Sequence, residues 1–313
     1  MSRSLSCVDG LAVLYLGGTA ALLALGWDQG GIYRLGVGLH VGLILGILAL
    51  RSARTLPCPL RQGRALYPLL LLLLFYVEVD LYVALLHDPP GYDALVRAWD
   101  AGLFGAHPHV VLPRWLSGRL WREAFHLLYL SYYLLVTGSF LAVWNWWPAQ
   151  FPRFAFVTTG MFASFMVLFV LFPVTGPLGA PGTEIASGGV APRLVAWLYA
   201  PLRANGIATG AFPSSHVGMS VGIACLLRPR AWGWRAALWA LVLGIAASTV
   251  YGQFHYAVDA VAGGVTGALL YLGWAKGYAL LTGRRGAPTD PAAEEGGPVG
   301  AVEGRRAGPG GSR

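Results

Sequence analysis

The sequence has few charged residues and almost no lysine. Only 12% of its 313 residues are charged, about half of the roughly 25% typical of soluble domains. Lys276 is the single lysine, so arginine carries nearly all of the positive charge. Hydrophobic residues make up 56%, and the mean hydropathy is +0.58. This composition excludes an ordinary soluble domain. It predicts an all-α polytopic membrane bundle, because helices satisfy their own backbone groups in lipid.

Cysteine is also scarce, with Cys7, Cys58 and Cys225 as the three examples. Their spacing fits no metal site, and an odd number does not give a disulfide framework. The formal net charge of +8 does not indicate nucleic acid, because the arginines cluster between apolar segments, as in the cytoplasmic loops of membrane proteins. We therefore predict no nucleic-acid partner and inert thiols.

Eight apolar segments are predicted to cross the membrane. They are 11–27, 35–50, 65–87, 123–146, 154–172, 214–227, 236–253 and 257–282. Two long connections, 88–121 and 173–213, are broken by proline and glycine and are predicted as interfacial or functional loops, each with amphipathic pieces. Glycine, proline, alanine and charges dominate from residue 283 onward, which predicts a disordered tail.

The arginines predict how the chain is oriented. The strongest positive-inside signal is in 51–64, and 228–235 carries a second cluster. With eight spans, both termini are predicted to be cytoplasmic, and the two long connections extracytoplasmic. Four arginines run against this assignment: Arg97, Arg114, Arg119 and Arg122. We expect an integral protein of the cytoplasmic membrane. The expected parts are an N-terminal helix pair (1–64), a catalytic membrane domain (65–282) and the tail (283–313).

The residues best suited to chemistry lie between 212 and 259. His255 and Asp259 are four positions apart, so on a helix they share one face, and the carboxylate can hold one imidazole nitrogen. The other nitrogen is then available as nucleophile or base. His216 begins another apolar segment and provides a proton donor or acceptor.

Hydroxyl and backbone groups beside these histidines suit an anion. Pro213-Ser214-Ser215 begins a predicted helix, where N–H groups and hydroxyls can bind phosphate, and Ser248 adds another hydroxyl. The set suits phosphoryl transfer through a phosphohistidine without a metal. The alternative is that His216 and His255 are merely interfacial histidines, since polar residues are common at membrane interfaces.

Two motifs in this stretch resemble those of the type-2 phosphatidic acid phosphatase superfamily. The segment Phe212-Pro213-Ser214-Ser215-His216 resembles its P-S-G-H motif. The segment 248–259 resembles its S-R-x5-H-x3-D motif, with matching spacing. The resemblance covers roughly 170–270 and implies a six-helix phosphatase-like core.

The resemblance also implies roles for individual residues. His255 would be the nucleophile, Asp259 its orienting partner, and His216 the acid that protonates the leaving alkoxide. The phosphate would be contacted by Ser214, Ser215 and Ser248.

Two cations of the family's motifs are missing from this sequence. The K-x6-R-P motif is expected before the second long connection, but residues 173–177 contain neither lysine nor arginine, and Thr249 replaces the arginine of the S-R motif. This pattern is similar to the branch with inositol phosphorylceramide synthases and, more distantly, sphingomyelin synthases, which pass a phospho-headgroup between lipids. Candidates for the missing contacts are Thr175, Arg193 and Arg203, although the arginines fit interfacial anchoring equally well.

The sequence therefore predicts a membrane enzyme that cleaves or transfers the phosphoryl group or phospho-headgroup of a lipid phosphate at the extracytoplasmic face. Its partners are the lipid phosphate, membrane lipids and, for a transferase, an acceptor alcohol or second lipid. No cofactor and no metal are expected. The alternative class is a transporter or an inactive scaffold on the same fold, and intact His216, His255 and Asp259 favour the enzyme. Phosphatase and transferase both stay open, as does the oligomeric state.

Several other polar residues allow two interpretations. His107 and His109 are weak evidence for a metal without a cysteine or carboxylate beside them, and we prefer an interfacial loop. Glu78 and Asp80 either face a polar interior or end a helix near the outer interface. The polar segment around Tyr129 either lines a headgroup cavity or packs against neighbouring helices.

Overall fold

The computed structural model describes residues 3–52, 58–87, 91–179, 188–204, 209–229 and 231–283. These residues form helices and connections, and no β-strand occurs among them. The α-helices are α1 (Arg3–Ala24), α2 (Gly31–Ser52), α3 (Cys58–Val77), α4 (Val79–Leu86), α5 (Asp93–Phe104), α6 (Pro108–Trp115), α7 (Arg119–Trp146), α8 (Phe151–Leu171), α9 (Val190–Ala204), α10 (Ser215–Leu227), α11 (Trp232–Tyr251) and α12 (Ala257–Thr282).

The predicted all-α membrane bundle is confirmed. Within the described ranges, seven helical stretches are long and apolar enough to cross a bilayer, among them Leu66–Leu86, which comprises most of α3 together with α4. Helix α10 is shorter, at 13 residues, or about 20 Å at 1.5 Å per residue. The predicted interfacial stretch 88–121 contains α5 and α6, and 173–213 contains α9. The predicted disordered tail lies outside the described residues from residue 284 onward.

The third predicted span is interrupted at Glu78, between α3 and α4. Glu78 is buried, and its carboxylate accepts a hydrogen bond from the Tyr82 hydroxyl at 2.8 Å and lies 3.3 Å from Nε2 of His40. Asp80 accepts a hydrogen bond from the backbone N–H of Thr209 at 3.1 Å. Both carboxylates therefore have partners inside the protein, which decides between the two interpretations in favour of a polar interior.

The N-terminal helix pair packs on the rest of the bundle through α1, which contacts α2, α8 and α12. A buried ion pair ties α1 to α3, because Arg64 donates to Asp9 at 2.9 Å, and the Tyr67 hydroxyl donates to the other carboxylate oxygen at 2.9 Å. Such a pair costs desolvation unless its hydrogen bonds are satisfied. The division at residue 64 stays a prediction, and the Tyr67–Asp9 hydrogen bond and a shared apolar core cross it.

Helix α8 forms the centre of the bundle. It is buried along most of its length and contacts α1, α3, α4, α7, α10 and α12. Its apolar side chains on all sides are typical of a helix enclosed by other helices.

Helices α10 and α12 approach each other closely because glycines line their contact. A Cβ on Gly263 would lie 2.3 Å from the backbone oxygen of Ser214, and a Cβ on Gly267 would lie 2.3 Å from that of Gly218. Small residues spaced by four allow such backbone contact in membranes. As a result the backbone N–H of Ser214 donates to the backbone oxygen of Asp259 at 3.0 Å. This contact joins the starts of the two helices that carry the predicted catalytic residues.

Candidate active site

The structure brings His216 and His255 into direct contact. His216 lies in the first turn of α10, and His255 immediately precedes α12. Nδ1 of His216 is 3.3 Å from Nε2 of His255. His255 is only 3% exposed, so the two rings meet in a largely dry pocket at one end of the bundle.

The hydrogen bonds of His255 assign its tautomer. Its Nδ1 lies 2.7 Å from the backbone oxygen of Ala211, which accepts hydrogen bonds and cannot donate them. Nδ1 therefore carries the proton, and the lone pair is on Nε2, facing His216. Asp259 lies farther away, with Oδ2 at 3.6 Å from Nδ1. Ala211 thus makes the hydrogen bond that we predicted for the carboxylate, and Asp259 adds its charge from just beyond hydrogen-bond distance.

The carboxylate of Asp259 is held by the start of its own helix. Oδ2 accepts a hydrogen bond from the backbone N–H of Tyr256 at 2.8 Å, as part of a capping box. Oδ1 is buried and has no hydrogen-bond partner among the described residues. Asp259 therefore fixes the first turn of α12 and places a negative charge close to Nδ1 of His255.

His216 completes a chain of hydrogen bonds. Because Nε2 of His255 has the lone pair, Nδ1 of His216 donates the proton between the rings. Nε2 of His216 then accepts from the Tyr129 hydroxyl at 2.9 Å. That hydroxyl in turn contacts the hydroxyls of Tyr199 and Tyr133. Burial raises the pKa of Tyr199 well above its usual range, so its hydroxyl stays protonated and can donate.

Tyr129 is a site residue whose role the sequence left open. It lies on α7, which contacts α10, and its ring stacks on Phe254 at 4.0 Å. The structure thus places the polar segment of α7 against His216, as the cavity interpretation suggested. No spacing in the sequence links Tyr129 to His216, because 87 residues separate them.

The predicted phosphate-binding hydroxyls differ in their surroundings. Ser214 is the N-cap of α10, with its hydroxyl 3.4 Å from the backbone N–H of Val217. Ser215 and His216 both line one cavity. The Ser248 hydroxyl donates to the backbone oxygen of Ile245 at 2.7 Å, which leaves its lone pairs available. Thr249, in place of the family's arginine, contributes its backbone oxygen, which accepts from the N–H of His255 at 3.1 Å.

The loop at Thr175 borders the site. Asp93 accepts hydrogen bonds from the backbone N–H groups of Thr175 and Gly176, at 3.0 and 2.8 Å. Gly176 has a φ of 74°, and a Cβ there would lie 2.7 Å from the Cβ of Ala211. Only glycine fits this close approach without strain. The candidate Thr175 is thus held beside the Ala211 carbonyl that orients His255.

The two arginine candidates are placed differently. Arg193 is exposed, and its Nε donates to the backbone oxygen of Gly189 at 2.8 Å. By helix geometry it lies on a different face of α9 from Tyr199, which contacts Tyr129. The side chain of Arg203 lies outside the described residues. For Arg193, interfacial anchoring fits these contacts better than phosphate binding.

Arg122 is a cation beside the site that the sequence did not single out. It lines a cavity of about 210 Å³ together with His126, Tyr251, Gly252 and Gln253. Its Nε is buried without a hydrogen-bond partner among the described residues. Gly252 and Gln253 belong to the loop leading to His255, so this cavity borders that loop.

An apolar cavity reaches His216 from the lipid side of the bundle. It has a volume of about 280 Å³ and is lined by residues of α3, α7 and α8 together with Tyr199, Ser215 and His216. Leu70 and Leu73, at its rim, are exposed on the outer surface of α3. We call it the α3–α7 groove.

A comparison with protein families matches the PAP2 superfamily over residues 94–273. The chain belongs to the PAP2 superfamily. The match begins in α5 and ends in α12, so it includes both histidines, Asp259 and the α7 tyrosines. Searches among curated proteins and among solved structures found no match. Membership supports a phosphatase-like function on a lipid phosphate, as the sequence predicted.

Replacing Tyr129 by phenylalanine tests its contact with His216. We expect Tyr129→Phe to lower kcat by about tenfold, the effect of losing one hydrogen bond worth about 1.4 kcal/mol, with little change in thermal stability. Tyr132→Phe is the matched control, because that ring packs against His216 at 4.5 Å from the neighbouring turn. Equal activity of the Tyr129 and Tyr132 variants would show that the Tyr129 hydroxyl does not position His216.

Proposed function

We propose that this protein transfers the phosphoryl group or phospho-headgroup of a lipid phosphate through a phosphohistidine on His255. The observation that carries the proposal is the contact between Nε2 of His255 and Nδ1 of His216 at 3.3 Å. One nitrogen has a lone pair, and the other carries a proton. Nucleophile and acid therefore face the same point.

In the first step, Nε2 of His255 attacks phosphorus, and the bond to the leaving oxygen breaks. For this step His216 carries a second proton, on Nε2, so that its ring is an imidazolium and Nε2–H donates to the Tyr129 oxygen. The phosphoryl group separates the two rings, the Nδ1 proton of His216 passes to the leaving alkoxide, and the His216 ring is left neutral. His255 becomes a cation while its Nδ1–H stays on Ala211. The nearby Asp259 carboxylate stabilises that charge.

In the second step, an acceptor hydroxyl replaces the leaving group. Nδ1 of His216, now unprotonated, takes the proton of the acceptor, whose oxygen attacks phosphorus and breaks the bond to His255. Water as acceptor gives a phosphatase, and a lipid hydroxyl gives a transferase. The missing lysine and arginine of the family's motifs favour a transferase like the inositol phosphorylceramide synthases.

The α3–α7 groove supports a lipid as substrate. Its walls are leucine, valine, phenylalanine and tyrosine, and the groove extends to Ser215 and His216. A hydrocarbon chain in it would leave its phosphate at the histidines. The groove opens beside exposed leucines of α3, where lipid surrounds the helix, so a lipid can enter from the membrane.

We place the site on the extracytoplasmic face. His216 is at the start of α10, and Arg228 caps its other end; the His255 loop follows the end of α11, and Arg235 is in its first turn. By the positive-inside rule the arginine ends are cytoplasmic. Both termini would then be cytoplasmic.

The experiment that tests this function uses purified protein with a panel of lipid phosphates, with and without an acceptor alcohol. Release of inorganic phosphate would identify a phosphatase, and a new phospholipid formed only with the acceptor would identify a transferase. If neither product forms with any lipid phosphate, while the protein is folded, the proposed function is wrong.

Filling the groove distinguishes lipid recognition from phosphate chemistry. Thr137 lines the groove on α7, and Thr137→Trp should raise KM for long-chain lipid phosphates by about tenfold or more, because burial of several methylene groups is lost. A short soluble aryl phosphate should be turned over as before. Leu134→Trp is the control, since Leu134 is exposed on the same helix and does not line the groove. Equal KM values in both variants would exclude the groove as the binding site of the lipid's hydrocarbon chain.

A further inference from the structure

A second cluster of ionisable side chains lies outside the histidine pair, at the same end of the bundle. Asp100 lies on α5, His107 precedes α6, and His109 lies in its first turn. One ligand atom from each residue lies within 4.8 Å of the other two. In the sequence the two histidines have no carboxylate beside them, because Asp100 is seven positions before His107. The fold brings it to them.

The facing atoms of this cluster lack hydrogen-bond partners among the described residues. They are Oδ2 of Asp100, Nδ1 of His107 and Nδ1 of His109. The carboxylate oxygen lies 3.7 Å from one ring nitrogen and 3.8 Å from the other. These distances are too long for hydrogen bonds, and Asp100 is fully buried. Three buried polar atoms left unpaired at one point are unfavourable unless something binds there.

The distances suit a metal ion. Ligand atoms about 2.0 Å from a tetrahedral ion lie about 3.3 Å from one another. The two carboxylate–imidazole separations, 3.7 and 3.8 Å, exceed that value by about half an ångström. The His107 side chain is 38% exposed, which leaves one side open to water as a fourth ligand.

The surroundings hold the ligands in place. Oδ1 of Asp100 accepts a hydrogen bond from the backbone N–H of Val258 at 3.0 Å, so Oδ2 is left to face the histidines. The His109 ring packs edge-on against Tyr256 at 5.1 Å. Such outer contacts commonly orient metal ligands.

We propose that Asp100, His107 and His109 bind one Zn²⁺ ion. Two imidazole nitrogens and one carboxylate oxygen are a typical zinc ligand set with one position left for water. Tyr256 and Val258 precede Asp259 in the first turn of α12, so the ion joins the α5–α6 segment to the helix that carries the proposed catalytic carboxylate. Its role is to position α12, separate from the phosphoryl transfer between His216 and His255.

Metal content is the direct test, and it does not depend on the proposed activity. The full-length protein is purified in detergent, and its affinity tag is removed. The protein is then dialysed first against zinc and next against zinc-free buffer, and its metal content is measured by mass spectrometry. We expect about one zinc per chain in the wild type and at least a tenfold loss in Asp100→Asn and His109→Gln. His87→Gln is the control, because that histidine contacts the backbone oxygen of Val170, away from the cluster, and should retain zinc.

Two further measurements cover the case in which the variants fold poorly. Chelation of wild-type protein should lower Tm by several degrees, and zinc should restore it where magnesium does not. Cobalt-substituted wild type should show the visible absorption of tetrahedral Co²⁺. Wild type that retains less than a tenth of an equivalent of zinc, and shows no cobalt spectrum, would overturn the proposal. A lipid phosphatase or transferase activity would be unaffected by that outcome.

Discussion

Substitution of His255 by glutamine is expected to abolish turnover, with a loss of kcat of at least about 10³-fold. The reason is that, in the proposed mechanism, the lone pair on Nε2 of His255 forms the bond to phosphorus. No other described nitrogen occupies that place beside His216. With a ³²P-labelled lipid phosphate, wild type should form an acid-labile, base-stable phosphoenzyme. The variant should form none.

Two controls make this result specific. His87→Gln removes a histidine elsewhere and should retain full activity. Thermal unfolding checks that His255→Gln keeps the fold, since glutamine can still donate a hydrogen bond to Ala211. Wild-type activity in His255→Gln would refute the nucleophile assignment.

Substitution of His216 by glutamine is expected to separate the two half-reactions. A lipid alkoxide is a poor leaving group and needs the His216 proton, so turnover of lipid phosphates should fall by at least about 10³-fold. The aryloxide of an aryl phosphate leaves without protonation, so an aryl phosphate should still phosphorylate His255. Without a base to activate the acceptor, the phosphoenzyme should accumulate to near one per chain.

The measurement is a rapid-quench time course with p-nitrophenyl phosphate. His216→Gln should give one burst of p-nitrophenol followed by slow turnover, and His255→Gln should give no burst. Tyr132→Phe serves as a neighbouring control with normal turnover. If His216→Gln turns over aryl and lipid phosphates with equal losses and no trapped phosphoenzyme, His216 is not the acid and base.

The sequence predicted most of the helices because their hydrophobic periods and lengths are local properties. Six predicted spans match helices of the structure within four residues at each end, and the first helix, α1, begins at Arg3, before the predicted start at residue 11. The third is divided at Glu78, where a buried carboxylate pairs with His40. The sequence showed that a carboxylate lay in the span, but not which helix would supply its partner.

The metal cluster shows the same limit. The pair His107 and His109 was visible as an H-x-H spacing, but its carboxylate was not recognised. Asp100 is separated from them by the end of α5 at Gly105, which has a φ of 68°. That turn reverses the chain and returns the histidines to the carboxylate. A turn of this kind depends on one backbone angle, which spacing in a helix cannot predict.

What the sequence determined by itself was the class of the protein and the candidates for its reactive groups. Low charge and long apolar segments require a helical membrane bundle, and the motifs at 212–216 and 248–259 name His216, His255 and Asp259. The tertiary structure alone decided how these groups are used. Ala211 orients His255 in place of Asp259, Tyr129 holds His216, and Arg122 lines a cavity beside the loop that leads to His255. The reason is that hydrogen bonds between helices depend on which faces pack together, and glycines at the α10–α12 contact set that packing.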